Sequence, residues 1–262
     1  MARETSILFV GDVVGRTGRQ ALEAVLPRLR EELAPTFLVV NGENAAGGIG
    51  ITPKEADAIF AMGADVITLG NHTYRHREIW PYLDERREII RPANYLPGQP
   101  GRGTCLVERD GVTLGVVNLS GNLYMQAGSP ALVTVDDALR EVAGADHVLV
   151  DMHAEATSEK VALGWYLDGR VTAVVGTHTH VPTADLRVLP GGTAYISDVG
   201  MTGPRGGVIG VVKEQAIDSL RTQMNVRFET SEDDPWLMGV LITCAPQPRR
   251  ATAIEQLLRP WR

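Results

Sequence analysis

Side chains able to hold a metal ion recur in this chain just after runs of apolar residues. Asp12 follows SILFV, Glu43 and Asn44 follow FLVV, Asn71 and His72 follow VITL, His153 follows HVLVDM, and His178 and His180 follow VTAVV. Loops at strand ends are where α/β scaffolds place their ligands. Carboxylate, amide oxygen and imidazole are donors suited to hard or borderline cations.

Each piece also has a plainer use. Asp12, in GDVVGRTG, could cap a helix or support a turn. The glycines around it do not spell GxGxxG, so a dinucleotide site is not supported. Glu43 and Asn44, in NGENAAGGIG, could belong to a solvated glycine-rich loop. His72 and His76 have helical spacing, but no HExxH accompanies them, and His76 is assigned to the surface. The strongest local signal is GTHTH, because alternation along an extended segment would send His178 and His180 to one side. Four of the six histidines fall in such loops, which leaves His76 and His147 without a role.

Taken together, one Asp, a Glu/Asn pair, an Asn/His pair and three further histidines are too many ligands for one ordinary zinc site. Nitrogen and oxygen donors without cysteine fit a pair of Fe, Mn or Zn ions better than a structural zinc centre. Cys105 and Cys244 lie far apart and outside any CxxC pattern, so neither a disulfide framework nor a cysteine-rich zinc site is expected.

The elements that must position these residues follow from hydrophobic periodicity. A strand over Ser6 to Val10, a helix over Gln20 to Leu33 and a strand over Phe37 to Val40 come first. A helix opened by Thr52 and Pro53 and a strand over Val66 to Leu69 complete a β-α-β-α-β beginning. The Pro- and Gly-rich stretch from Arg91 to Arg102 reads as an internal loop. Gly103 to Arg109 and Val112 to Leu119 form a hairpin around Asp110-Gly111, which brings antiparallel pairing into the sheet. Helices near Val135 to Val142 and Ser158 to Leu167 alternate with strands at His147 to Met152 and Val171 to Val175. The last third reads as strands at Thr193 to Ile196, Arg227 to Thr230, Leu237 to Thr243 and Thr252 to Leu258, with one helix near Lys213 to Thr222. Crossover helices and hairpins together suit an α/β fold of two packed mixed sheets flanked by helices. No linker divides the chain, so residues 1–262 are expected to form a single domain.

A formal net charge of −7 offers no broad attraction to polyanions, so duplex nucleic acid is not an expected partner and phosphate recognition must be local. The opening MARETSILFV is too short for a signal peptide, and no segment is long enough to cross a bilayer. The expected location is cytoplasmic, with no membrane partner. A homo-oligomer is compatible with the symmetry common among soluble proteins.

In order, Asp12, Gly42-Glu43-Asn44, Gly70-Asn71-His72, His153 and Gly176-Thr177-His178-Thr179-His180 resemble the calcineurin-like metallophosphoesterase series DxH, GDxxD, GNH[DE], H and GHxH. GDVVGRTGR, NGENAAGG, TLGNHTY, GTHTHVPTAD and SDVGMTGP look more closely like the YmdB-like branch, over nearly the whole chain. Three departures stand out: Val14 replaces the His of DxH, Glu43 takes the usual bridging Asp position, and Thr73 follows GNH in place of an acid. In the YmdB-like branch Asn44 is the natural replacement for the missing ligand.

The resemblance implies a metallophosphoesterase-like four-layer sandwich carrying two divalent or mixed-valence ions, iron, manganese or both, with zinc admissible. One ion would be held by Asp12, Glu43, Asn44 and His180, the other by Glu43, Asn71, His153 and His178. It implies a phosphodiesterase that attacks cyclic nucleotides, above all 2′,3′-cyclic nucleotides, with a metal-bridging hydroxide. His72 would be the catalytic residue that protonates the leaving oxygen or steadies its charge. A phosphomonoesterase, a phosphodiesterase with another nucleotide or nucleic-acid end as substrate, and a nucleotide-sensing regulatory protein are the alternatives.

Overall fold

The structure, a computed structural model, describes residues 5–246 and 248–262. Its first half runs β1 (Ser6–Val10), α1 (Gly15–Leu33), β2 (Phe37–Asn41), α2 (Pro53–Ala61), β3 (Val66–Thr68), α3 (Ile79–Glu85) and β4 (Ile89–Ile90). Next come β5 (Thr104–Arg109), β6 (Val112–Ser120), α4 (Ala131–Glu141), β7 (His147–His153), α5 (Thr157–Tyr166) and β8 (Ala173–Thr177). The chain closes with β9 (Arg187–Val188), β10 (Ala194–Ile196), β11 (Gly203–Pro204), α6 (Lys213–Thr222), β12 (Pro235–Cys244) and β13 (Ala251–Pro260).

Two sheets result. The first has the order β11-β12-β1-β2-β3-β4, with β13 on the other side of β12. Its strands β1 to β4 are parallel, whereas β12 runs antiparallel to both β1 and β13. The second has the order β5-β6-β7-β8-β10-β9, parallel in the middle and antiparallel at both edges. Asp110 and Gly111, which join β5 to β6, have φ of 53° and 78°, as a two-residue type I′ turn requires.

Strand alternation sorts the core into three layers of side chains. Ile7 and Phe9 of β1 and Phe37 and Val39 of β2 face the second sheet, meeting Val116, Leu149 and Val175. Their neighbours Leu8, Val10, Leu38 and Val40 face α1 and α2 through Leu22, Leu26 and Ile59. On the far side, Val117, Val150 and Val174 pack against Val135 of α4 and Leu163 of α5. The order is helices, sheet, sheet, helices, as the patterning indicates. Among the described residues no helix is long and apolar enough to cross a membrane.

Several elements differ from the expectation, among them the two-residue strands β9 and β11, which are too short to show a period. Helix α1 starts at Gly15, five residues before Gln20, because its first turn packs through small residues that leave no apolar stripe. A Cβ on Gly18 would lie 2.3 Å from the Thr202 carbonyl oxygen. Helix α3 and strand β4 are too short for a period to emerge; only Ile79 and Leu83 of α3 are buried. No strand forms over residues 227–230. The backbone there is satisfied by α6 and its entry instead, with the Gln215 amide oxygen accepting from Glu229 N at 2.8 Å and the Glu229 carbonyl from Val212 N at 3.0 Å.

Candidate metal centre

The C-terminal ends of β1, β2 and β3 in one sheet meet those of β7 and β8 in the other, and the candidate side chains converge there. His153, the last residue of β7, is fully buried. Its Nε2 lies 2.9 Å from Asn71 Oδ1, 3.1 Å from Glu43 Oε1 and 3.1 Å from His178 Nδ1. Glu43, His153 and His178 therefore offer one ligand atom each within 4.8 Å of one another. Such an approach requires glycine at position 70, where a Cβ would sit 2.3 Å from both Glu43 Oε2 and His153 Nε2.

Beside this group, Asn44 Nδ2 donates to Glu43 Oε1 at 3.1 Å and faces His180 Nε2 at 3.2 Å. Asn44 Oδ1 accepts from His72 Nδ1 at 2.8 Å, and the His72 backbone N–H donates to Glu43 Oε2 at 3.1 Å. Asp12 is fully buried; its Oδ2 accepts from His178 N at 3.1 Å, and its Oδ1 has no hydrogen-bond partner. Every sequence-nominated residue, Asp12, Glu43, Asn44, Asn71, His72, His153, His178 and His180, thus lies in one connected cluster. His76 and His147 do other work: His76 Nε2 donates to the Ile49 carbonyl at 3.0 Å, and buried His147 pairs with Thr172 Oγ1 at 3.2 Å.

The two loop histidines arrive by a route the alternation argument does not anticipate. Strand β8 ends at Thr177, and His178 and His180 have φ of 99° and 66°, so the segment is a left-handed turn and not an extended run. Non-glycine residues adopt such backbone, at a cost of roughly 1–3 kcal/mol each, only where their surroundings compel it. Asp198 compels it here. Its Oδ2 accepts from both the backbone N–H and the hydroxyl of Thr179, at 3.1 and 2.8 Å, and from Lys160 Nζ at 2.8 Å, while its Oδ1 accepts from Gly200 N at 2.9 Å. Lys160 and Asp198 are both almost fully buried.

Sequence reasoning missed Asp198 and Lys160, and it missed Asp151 as well. Asp151 sits two residues before His153 on β7 and hence on the same face, the one signal that could have nominated it. Its carboxylate accepts from Thr68 Oγ1 at 2.6 Å, Thr177 Oγ1 at 2.7 Å and Asn41 Nδ2 at 3.0 Å, which ties the two sheets together beneath the cluster.

Each of the three histidines nominated as ligands has one ring nitrogen tethered outward. His153 Nδ1 pairs with Thr177 Oγ1 at 2.9 Å, His178 Nε2 faces Glu155 Oε2 at 3.3 Å, and His180 Nδ1 donates to the Ile209 carbonyl at 2.7 Å. That arrangement fixes the tautomer and leaves the other nitrogen, a lone pair, aimed inward, as in metal-bound histidines.

The electrostatics agree. Burial pushes the Asp12 carboxyl up, whereas Glu43 is held well below the usual carboxylate range because adjacent His153 outweighs its burial. Burial alone would lower His153, but Glu43 and Asp12 overcome it and raise the imidazole to about 9. His178 is lowered to about 3, by burial first and by His153 next. Without a cation the cluster must protonate one imidazole to neutralise its carboxylates. An orphaned buried carboxylate oxygen and three inward lone pairs fit divalent cations better than protons.

Known proteins point the same way. A family model described as YmdB-like protein matches residues 8–257. The chain is 46% identical over 253 residues to the 2′,3′-cyclic-nucleotide 2′-phosphodiesterase of Bacillus subtilis (strain 168), covering 96% of each. A crystal structure of a hypothetical protein from Thermus thermophilus superposes with a TM-score of 0.91 at 38% identity, over 98% of this chain and 99% of that one. A phosphatase from Mycoplasma pneumoniae gives 0.92 at 32% identity, over 99% and 95%.

Proposed function

The chain belongs to the YmdB-like family, and from that premise we propose that it is a metal-dependent phosphodiesterase that opens 2′,3′-cyclic nucleotides. The observation that carries the reading is the set of three histidines, each with one ring nitrogen tethered outward and the other turned into the cluster around buried Glu43 and Asp12. The activity of the Bacillus subtilis relative, similar along nearly the full length of both chains, supports the substrate class.

One cation would be held by Asp12, Glu43, Asn44 and His180, and a second by Glu43, Asn71, His153 and His178. When bound, the pair supplies neutralisation of phosphate charge and acidified water for in-line attack. Donors rich in imidazole and free of sulfur favour iron or manganese, with zinc as the alternative, over calcium. Asn44 needs a half-turn of its amide to present Oδ1, which its near-isosteric oxygen and nitrogen permit. That half-turn aims Asn44 Nδ2 at His72 Nδ1, so neutral His72 then carries its proton on Nε2. His72, partly exposed at the rim and in contact with Asn44, is the residue we assign to protonate the leaving ribose oxygen or to steady its charge. A cytoplasmic location and a small phosphorylated nucleotide as the only required ligand besides metal complete the reading.

Metal analysis and a substrate panel on one reconstituted preparation test it. Two ions per chain and faster turnover of 2′,3′-cyclic nucleotides than of nucleoside monophosphates are expected. Full activity after exhaustive chelation, or preference for monoesters, would overturn the assignment.

A further inference from the structure

A cleft of about 660 Å³ opens beside the cluster, where Asn71 and His178 form its inner edge. The outer walls carry three tyrosines, Tyr74, Tyr95 and Tyr124, with Met125, Gln99 and Gln126. We infer that this cleft is the nucleobase subsite: the base stacks on its tyrosine rings while the cyclic phosphate sits against the Asn71–His178 edge. The inference rests on the cyclic-nucleotide reading above.

Four observations carry it. First, the size falls within the range of small-ligand pockets. Second, the Tyr74 and Tyr95 hydroxyls donate to the carbonyls of Pro100 at 2.7 Å and Gly70 at 3.1 Å, so what these residues offer the cleft is ring surface. Their rings stand 6.1 Å apart and tilted by 37°. Third, no Lys, Arg, Asp or Glu among the described residues lines the cleft, which suits a neutral heterocycle and not a second phosphate. Fourth, Tyr124 is 91% exposed at the rim of the cleft, on a loop whose backbone is held at both ends, so its ring is free to close over a base.

The loop that bears Tyr124 is pinned at both ends. Asn122 N and Leu123 N donate to the Glu159 carboxylate at 2.9 and 3.1 Å, and Ser129 N donates to the Asn94 carbonyl at 2.9 Å. Tyr124 itself takes a left-handed backbone with φ of 64°. Gln99 and Gln126 can each donate and accept, so either amide can meet the edge of a purine or a pyrimidine. Stacking of this kind discriminates little among bases. A second cleft, of about 730 Å³, takes in Glu43, Asn44, His72, His178 and His180 themselves; beyond them its walls are largely apolar, with Val14, Ile49, Ile209 and Leu220 and a single Phe, Phe228, so it offers a base little ring surface.

The test compares wild type, Tyr124→Ala, Tyr124→Phe and Phe228→Ala, all metal-loaded. The substrates are adenosine and uridine 2′,3′-cyclic phosphates and, as a base-free ester, glycerol 1,2-cyclic phosphate. Tyr124→Ala should raise KM for both nucleotides by roughly 5- to 150-fold, the range for one base–aromatic stack. It should leave turnover of the glycerol ester unchanged, and Tyr124→Phe should behave as wild type. Equal losses on the glycerol ester, no change on the nucleotides, or the loss appearing in Phe228→Ala would each overturn the subsite. Calorimetric titration with adenosine 3′-monophosphate separates this idea from its premise. If wild type turned over no cyclic nucleotide, the proposed activity would fall, while weaker binding by Tyr124→Ala than by wild type would still uphold the subsite and equal binding would end it.

Discussion

The two sheets contribute unlike halves to the cluster. Sheet one supplies oxygen donors, Asp12, Glu43 and Asn71, on turns that leave β1, β2 and β3 with no residue forced into left-handed backbone at the donor positions. Sheet two supplies imidazoles, and two of the three ride on a left-handed turn held by a buried carboxylate and lysine. Strand geometry alone places the oxygen half. The nitrogen half depends on a side-chain network that had to be built around it, and the two halves should therefore fail differently.

The largest effect should come from Glu43→Gln, because Glu43 is the carboxylate proposed to serve both ions. Removing its charge should strip both ions and lower turnover by on the order of 10⁴-fold, several kcal/mol of lost charge stabilisation. His180→Ala should empty mainly one site. Metal counts on the two variants decide the matter, and two retained ions in Glu43→Gln would end its bridging role. Next in size is His72→Ala, with both ions kept and kcat on cyclic nucleotides reduced by about 10²–10⁴-fold. An aryl phosphodiester, whose leaving oxygen needs less protonation, should lose less, whereas equal losses would point to charge stabilisation by His72.

Asp198→Asn addresses the nitrogen half alone. Metal affinity should weaken by roughly 10- to 100-fold through displaced histidines. Unpaired Lys160 would also destabilise the protein by about 3–5 kcal/mol. Adding Lys160→Met should recover stability but not affinity. Recovery of both would mean that the pair merely holds the fold.

The smallest effect is a pH dependence confined to metal-free protein. His153 is raised in the folded state to about 9, and the contribution of such a group is fully present below its ordinary value near 6.5 and disappears as pH climbs through the folded value. Chelated protein should therefore lose Tm between about pH 6.5 and 9. Loaded protein, in which His153 is neutral, should not. A flat profile in chelator would separate His153 from Glu43.

Apolar alternation made the four-layer fold legible, since β1 and β2 divide their side chains between two cores by simple parity. What escaped were pieces whose cause lies elsewhere in the chain. The first turn of α1 owes its helix to close packing on Thr202, and residues 227–230, for all their strand-like character, find α6 in place of a sheet edge. In the cluster, residue types with familiar coordination chemistry stood out, while Asp151, Asp198 and Lys160 did not. These three act only through partners on other strands and helices, which no local spacing records. GTHTH does bring both histidines to the cluster, but by a left-handed turn and not by alternation, because a positive φ at histidine is imposed by tertiary contacts.

Strand β1, near the beginning of the chain, is completed by β12, which pairs Val10 with Gly239, and the turn at Asp12 is fastened by Gly11 N on the Met238 carbonyl and Thr202 N on the Asp12 carbonyl. A ribosome delivers both partners long after β1. Until then the emerging β-α-β-α-β segment holds Ile7 and Phe9 without their cover, a state in which long-range pairing is slow and apolar edges invite aggregation. Asp12 therefore acquires its setting only when β12 docks, and a chain cut before β12 should leave the cluster without Asp12 in place.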